Sequence, residues 1–238
     1  MGEGCVTIDI AREAITLMPD RAAWWASRGM VIVSDLHLGK SEAMRRAGIP
    51  VPDVDLDEQF ERLERVVASA GAERVVIAGD LIHAHAGLTA ALTDRVAARL
   101  DALRSLGVQF TLVRGNHDRR IDAVERVWGL LDIRDEMQEG SIRIVHEPGE
   151  ARPGCGMIAG HLHPALSVGG VKVPAFVVAA RRLILPAFSR FTSGGRVASE
   201  RGTRWYPIAE GCVIAMEMRG MGGKRAEELR SAARGGER

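Results

Sequence analysis

Four short apolar runs each stop on ionisable or amide side chains, and this recurrence limits the fold more than any other property of the chain. Met30-Val31-Ile32-Val33 runs into Ser34-Asp35-Leu36-His37-Leu38-Gly39, and Val75-Val76-Ile77-Ala78 into Gly79-Asp80. Phe110-Thr111-Leu112-Val113 leads to Arg114-Gly115-Asn116-His117-Asp118, and Met157-Ile158-Ala159 to Gly160-His161-Leu162-His163. Apolar, partly β-branched runs of this length read as buried strands of a parallel sheet. Such sheets place ligands beyond the carboxyl ends of their strands, so Asp, His and Asn are brought to one edge. A single Asp-x-His at a strand end has a plainer explanation, a turn-capping Asp beside a surface His. Three further ends of the same kind shift the balance toward a site.

The intervening segments supply the crossovers. Residues 57–70 place Phe60, Leu63, Val66 and Val67 on one helical face and stop at Gly71. Residues 88–106 repeat the pattern with Leu92, Val96, Leu100 and Leu103, and Gly107 ends them. Strand, helix, strand, helix, strand is the order of a parallel α/β sheet. Beyond Asp118 the rhythm changes to one short helix at 121–127, then β-rich runs at 131–137, 141–146, 157–159, 176–180, 182–185 and 212–218. These predict a second sheet packed on the first, while residues 5–18 read as an opening hairpin with Trp24 and Trp25 closing over the sheet. Residues 1–218 are expected to form a single domain, and the Gly-rich, charged stretch 219–238 a mobile tail.

Seven nitrogen and oxygen donors can be collected from these ends and from one isolated histidine: Asp35, His37, Asp80, Asn116, His146, His161 and His163. That is too many for one zinc, which takes four ligands, and too rich in histidine for one hard cation. The set suits two transition-metal ions roughly 3.5–4 Å apart with a shared carboxylate. Asp80 is the natural bridge, because Gly79 lets the backbone approach closely. Mn²⁺, Fe²⁺ and Zn²⁺ all accept such donors.

Composition narrows the partners. A formal net charge of +1 neither favours nor excludes nucleic acid, and 4% aromatic residues leave little for a base-stacking platform. Cys5, Cys155 and Cys212 lack Cys-x-x-Cys spacing and read as free thiols of a reducing compartment. With no apolar leader and no run of 18 apolar residues, a cytoplasmic protein without membrane contact is expected.

The pieces DLH at 35–37, GD at 79–80, GNHD at 115–118, His146 in VHEP and GHLH at 160–163 resemble, in order, the motifs of the calcineurin-like metallophosphoesterase superfamily. The resemblance implies a four-layer α/β/β/α sandwich with two facing mixed β-sheets, in agreement with the element order. It implies Asp35, His37, Asp80 and His163 on a first metal, and Asp80, Asn116, His146 and His161 on a second. A hydroxide between the metals would attack phosphorus while His117 assists the leaving oxygen, with Asp118 beside it to orient the imidazole. SDLHLGK at 34–40, RRAGIPVP at 45–52, GDLIH at 79–83, RGNHD at 114–118, HEP at 146–148 and GHLHP at 160–164 look most like the bacterial ligase-associated DNA-damage-response group. That likeness implies a manganese-dependent phosphodiesterase or DNA endonuclease found alongside a DNA ligase and a helicase. The complete ligand set with the basic loop at Lys40, Arg45 and Arg46 leads to the expectation that the substrate is single-stranded or distorted DNA.

Lys40, Arg45 and Arg46 precede the proline-containing loop and either hold phosphate oxygens or form a solvated face. Arg181 and Arg182 are lesser candidates for DNA. His83 and His85 read as surface or supporting groups, and Arg119 and Arg120 as solvated. Two other functions stay open: a phosphodiesterase for a small nucleotide or lipid-linked ester, favoured by the near-neutral charge, and a non-catalytic scaffold, disfavoured by the intact ligand set.

Overall fold

The apolar runs become strands whose alternate side chains face two different cores. The structure, a computed structural model, describes residues 3–52, 55–119, 121–129, 132–192, 194–195, 197 and 200–217. The tail expected over 219–238 lies outside these residues, as does Arg120. An antiparallel meander of β1 (Val6–Ile10), β2 (Glu13–Met18) and β3 (Ala22–Trp25) leads into β4 (Met30–Val33). β4 starts a parallel run with β5 (Arg74–Ala78), β6 (Gln109–Val113) and β7 (Asp132–Arg134), so the seven strands lie in sequence order. The crossovers carry helices: α1 (Lys40–Arg46) and α2 (Asp55–Ala70) before β5, α3 (Ala90–Ser105) before β6 and α4 (Asp122–Trp128) before β7. Thr89 starts α3 two residues later than expected, because its hydroxyl accepts the Leu92 N–H at 3.1 Å and so caps the first turn.

The second sheet contains β8 (Met137–Glu139), β9 (Ile142–Val145), β10 (Gly156–Ala159), β11 (Ala165–Val168) and β12 (Val171–Ala179). It continues with β13 (Arg182–Ile184), β14 (Arg204–Ala209), β15 (Cys212–Val213) and β16 (Met216–Glu217). Its order is β15-β14-β12-β13-β10-β9-β8, with β11 on β12 and β16 on β14. The run expected at 131–137 divides between β7 and β8, which belong to different sheets; the chain crosses from one layer to the other there. β14 carries Pro207, which obscures it in the sequence because proline gives no ladder N–H.

Alternation assigns the cores. Val31, Val33, Val75, Ile77, Phe110 and Leu112 face Leu63, Val66, Leu100 and Trp128 of the helices. The intervening Met30, Ile32, Val76, Ala78 and Val113 face Ile144, Ile158, Phe176 and Val178 of the second sheet. The α/β sandwich of two facing mixed sheets is thus present, held by two apolar layers removed from water. The outer face of the second sheet, where a further helical layer was expected, is covered among the described residues by Leu162, Leu166 and Val197 over Val145, Ala159, Val177 and Trp205.

Candidate metal centre

β4, β5 and β6 end together because they are parallel, Val33 beside Ile77 and Ala78 beside Val113. Beyond the ladder the backbones stay adjacent. The Asp35 N–H donates to Gly79 O at 3.0 Å and the His37 N–H to Asp80 O at 2.9 Å. β9 and β10 reach the same edge from the second sheet, and the His161 N–H donates to both Asp35 carboxylate oxygens at 3.3 and 3.0 Å. Glycine makes this closure possible. A Cβ on Gly160 would stand 2.6 Å from Ser34 Cβ, 2.7 Å from Asp35 Oδ2 and 2.9 Å from Ala78 O, and one on Gly79 would run into the His146 ring.

Five of the seven expected donors have left-handed backbone: φ is 57° at Asp35, 49° at His37, 50° at Asp80, 68° at His161 and 45° at His163. Asp and His accept this region better than most residues, yet each such position costs on the order of 1–3 kcal/mol where the surroundings enforce it. Strain concentrated here shows that the packing of both sheets dictates the loop shape.

The side chains form two adjoining groups, Asp35 with His37 and His163, and Asp80 with His146 and His161; within each group the donor atoms lie within 4.8 Å of one another. His163 Nε2 is 3.1 Å from Asp35 Oδ1 and 3.3 Å from His37 Nε2. In the second group His146 Nε2 is 3.4 Å from Asp80 Oδ1, 3.1 Å from His161 Nδ1 and 2.9 Å from Asn116 Oδ1. Burial opposes ionisation of Asp35, but the hydrogen bond from His163, with the nearby His163 and His146 charges and Ser34, holds its carboxyl below the usual range. Burial pushes His37 down to about 3, so its ring is neutral and offers a lone pair. Its Nδ1 is buried with no hydrogen-bond partner among the described residues. Imidazole nitrogens meeting face to face around buried carboxylates are a poor hydrogen-bond network and a good cation cage, so the donor set fits divalent transition metals.

The sequence profile described as calcineurin-like phosphoesterase matches residues 30–164, more than half of the chain. The chain belongs to that family. Among solved structures it is similar to the nuclease MPE of Pseudomonas putida, with a TM-score of 0.75 and 26% identity over 89% of this chain and 100% of that one. It also matches the phosphoesterase Yfce of E. coli at a TM-score of 0.45 and 17% identity, covering 78% of this chain and 96% of that one. A comparison with curated protein sequences returned no match.

Within this calcineurin-like phosphoesterase, the other expected residues take varied positions. His117 stands at the mouth of the centre, Nε2 3.9 Å from Asp80 Oδ2, and its backbone N–H donates to Asp80 Oδ1 at 3.0 Å. Asp118 does not orient the imidazole as expected. Its carboxylate is fully buried and accepts the Ile82 N–H at 3.1 Å and the Gly115 N–H at 2.9 Å, clamping the motif loop to the loop after Asp80. Burial, helped by Asp80, raises its pKa despite those bonds. His83 takes the place expected of Asp118. Its carbonyl accepts the His117 Nδ1–H at 2.6 Å, and the two rings stack with centroids 5.3 Å apart and 21° between planes. Its place three residues after Asp80, in GDLIH, was the only signal in the sequence.

Of the basic loop, only Lys40 reaches the centre, where its charge adds to burial in lowering His83 to about 4. Arg45 pairs with Glu42 at 2.9 Å and holds the Pro52 carbonyl at 3.4 Å, while Arg46 donates to Ala86 O at 2.9 Å; both brace the loop. Arg182 pairs with Glu200 at 3.2 Å and lies beside Met157, at the end of the ladder away from the donors, and Arg181 precedes it.

Proposed function

We propose that the chain is a two-metal phosphodiesterase that cuts DNA, with Mn²⁺ as the preferred ion. The observation that carries this reading is the pair of adjoining donor groups with a proton-bearing histidine at their mouth. Asp35, His37 and His163 would hold one ion; Asn116, His146 and His161 the other; Asp80 directs Oδ1 toward one group and Oδ2 toward the other, 4.0 Å from His37 Nε2. Two ions held there supply Lewis acidity at the phosphoryl oxygens and a lowered pKa for the attacking water.

The remaining work falls to this chain's own residues. A carbonyl can only accept, so the bond to His83 O keeps one proton on His117 Nδ1; when the ring takes up a second proton from solvent, Nε2 carries it and can deliver it to the departing oxygen. The stacked His83 ring holds that orientation, and Asp118 holds the loop that carries it. Likeness to a protein described as a nuclease supports a nucleic acid as the substrate. Likeness to the ligase-associated group supports a place in DNA repair beside a ligase and a helicase. The net charge of +1 favours one competing substrate, a small phosphodiester.

Stripping the protein with a chelator, restoring Mn²⁺, Mg²⁺, Zn²⁺ or Fe²⁺ singly, and assaying a chromogenic diester, a phosphomonoester and single-stranded DNA tests the reading. Cutting of DNA and diester, greatest with Mn²⁺ and lost in His117→Ala, is expected. Diester turnover without DNA cleavage favours the small substrate, and inactivity with every ion overturns the enzyme.

A further inference from the structure

His163 has two neighbourhoods. One edge of its ring meets Asp35 and His37; its other side lines a cavity of about 60 Å³ together with Arg21, Lys172, Arg190 and Thr192. Among the described residues, three cations and no carboxylate line this cavity. They come from three distant parts of the chain: the turn between β2 and β3, the start of β12, and the segment after β13.

The walls are firmly built. One Arg21 Nη donates to Ala187 O at 3.1 Å and to Ser189 O at 2.7 Å, which pins the guanidinium to segment 187–189. The Ser189 N–H in turn donates to Asp35 O at 3.2 Å, so the arginine and the Asp35 loop share one rigid support. Arg62, buried in α2, donates to Phe188 O at 2.7 Å and holds the same segment from behind. Arg190 pairs with Glu58 at 3.2 Å at the open rim, and Lys172 forms no ion pair among the described residues. Burial, with the charge of Arg190 next, pushes Arg21 down to about 10, although Asp55 opposes the shift.

We propose that this cavity is an anion subsite that seats the phosphate next to the one being cut, so that a phosphodiester chain enters the centre along its His163 side. The proposal rests on the phosphodiesterase reading above and adds what that reading lacks, a reason to prefer a polymer over an isolated ester. Size agrees. At about 10–15 Å³ per water-sized group, the 60 Å³ cavity has room for the four oxygens of a phosphate and none for a nucleobase. Chemistry agrees as well, because arginine forks and a mobile ammonium are the usual phosphate donors. The chain's near-neutral net charge is then no obstacle, since the attraction is local.

The test compares oligothymidylate with bis(p-nitrophenyl) phosphate, which has no neighbouring phosphate, in the Mn²⁺-loaded protein and in Lys172→Glu and Arg190→Glu. The ratio of kcat/KM on DNA to that on the small diester should fall about tenfold or more in each variant, the worth of one or two charge-assisted contacts. Replacing the neighbouring linkage with a neutral methylphosphonate should cost the wild type a similar factor and cost Lys172→Glu little more. A separate arm measures oligothymidylate binding by fluorescence anisotropy in chelator, without turnover. Each variant should flatten the salt dependence by about 0.7 in slope, one phosphate contact on a single strand. Inorganic phosphate should displace the oligonucleotide only weakly, and tight displacement would make this a free-phosphate site and overturn the proposal. Ratios within twofold of wild type, or an unchanged salt slope, overturn it too. If the wild type cuts no diester, the enzymatic reading fails and the anisotropy arm alone decides the subsite.

Discussion

The floor and the rim of the centre are built on opposite terms. Asp35, His37, Asp80 and His146 are 0, 3, 2 and 5% exposed, whereas Asn116 and His117 are exposed and His161 and His163 half-buried. Floor residues are gripped by neighbouring backbone and by glycines too tight to admit a Cβ. Rim residues are held mainly through side chains: His117 by the His83 carbonyl and ring, Asn116 by His146, and His163 by Asp35. Left-handed backbone is common to both sides. Burial by itself does not set the charge of the floor, as a buried carboxylate outside the centre shows. Asp55, at the start of α2, is 4% exposed like its counterparts, but its pKa is pushed up to about 6 by burial, which Gln59 and Arg62 only partly offset. Asp35, fully buried, is held low against that burial by the hydrogen bond from His163, with the His163 and His146 charges and Ser34. The centre is a place where charge has been made affordable by its neighbours.

Substitutions on the two sides should therefore separate function from folding. Asp80→Ala on the floor should reduce turnover by about 10³-fold or more, the worth of several kcal/mol of metal-centred stabilisation, and should abolish metal uptake measured by elemental analysis. His117→Ala at the rim should lower kcat by about 10²–10⁴-fold, the range of a general acid, with metal content and melting temperature preserved. Metal loss in His117→Ala would break the distinction between floor and rim.

Gly160→Ala probes the floor with no chemistry removed. The added methyl meets Ser34 and Asp35 at 2.6 and 2.7 Å, so about 1–3 kcal/mol of overpacking is expected, read as a melting temperature lower by several degrees. An unchanged melting temperature would show that the two sheet edges yield more easily than their geometry indicates.

Asp55→Asn gives the smallest effect and the sharpest control on burial. The carboxyl ionises near 6 in the fold and about 3.9 in the unfolded chain. Stability present below pH 4 is therefore lost as pH rises through 6, and the variant, which keeps an acceptor for Gln59, escapes that loss. Relative to wild type it should gain about 2 kcal/mol at pH 7 and nothing at pH 4, measured by urea unfolding at both values. A gain independent of pH would deny that ionisation is the cause.

Much of this was legible in one dimension because it is local. An apolar run that stops on Asp, Asn or His says both that a strand is buried and that its end carries donors, and four such runs with one isolated histidine, in order, sufficed to expect two sheets and to pick out the seven side chains that the structure gathers. The helix ends followed from Gly71 and Gly107 for the same reason, since stop signals act within a turn of themselves, whereas the Thr89 cap emerged only from its bond to the Leu92 N–H. What only the tertiary structure decided is direction and distant convergence. Whether Asp118 or His83 supports the His117 ring depends on which way two loops turn, and left-handed backbone breaks the alternation from which side-chain direction is read. Arg45, Arg46 and Arg182 looked available until Glu42, Ala86 and Glu200 were seen to occupy them. Arg21, Lys172 and Arg190 share no spacing that marks them as partners. They meet because the first sheet's meander and the second sheet's hairpin both abut segment 187–190, a contact made by packing of layers rather than by any periodicity along the chain.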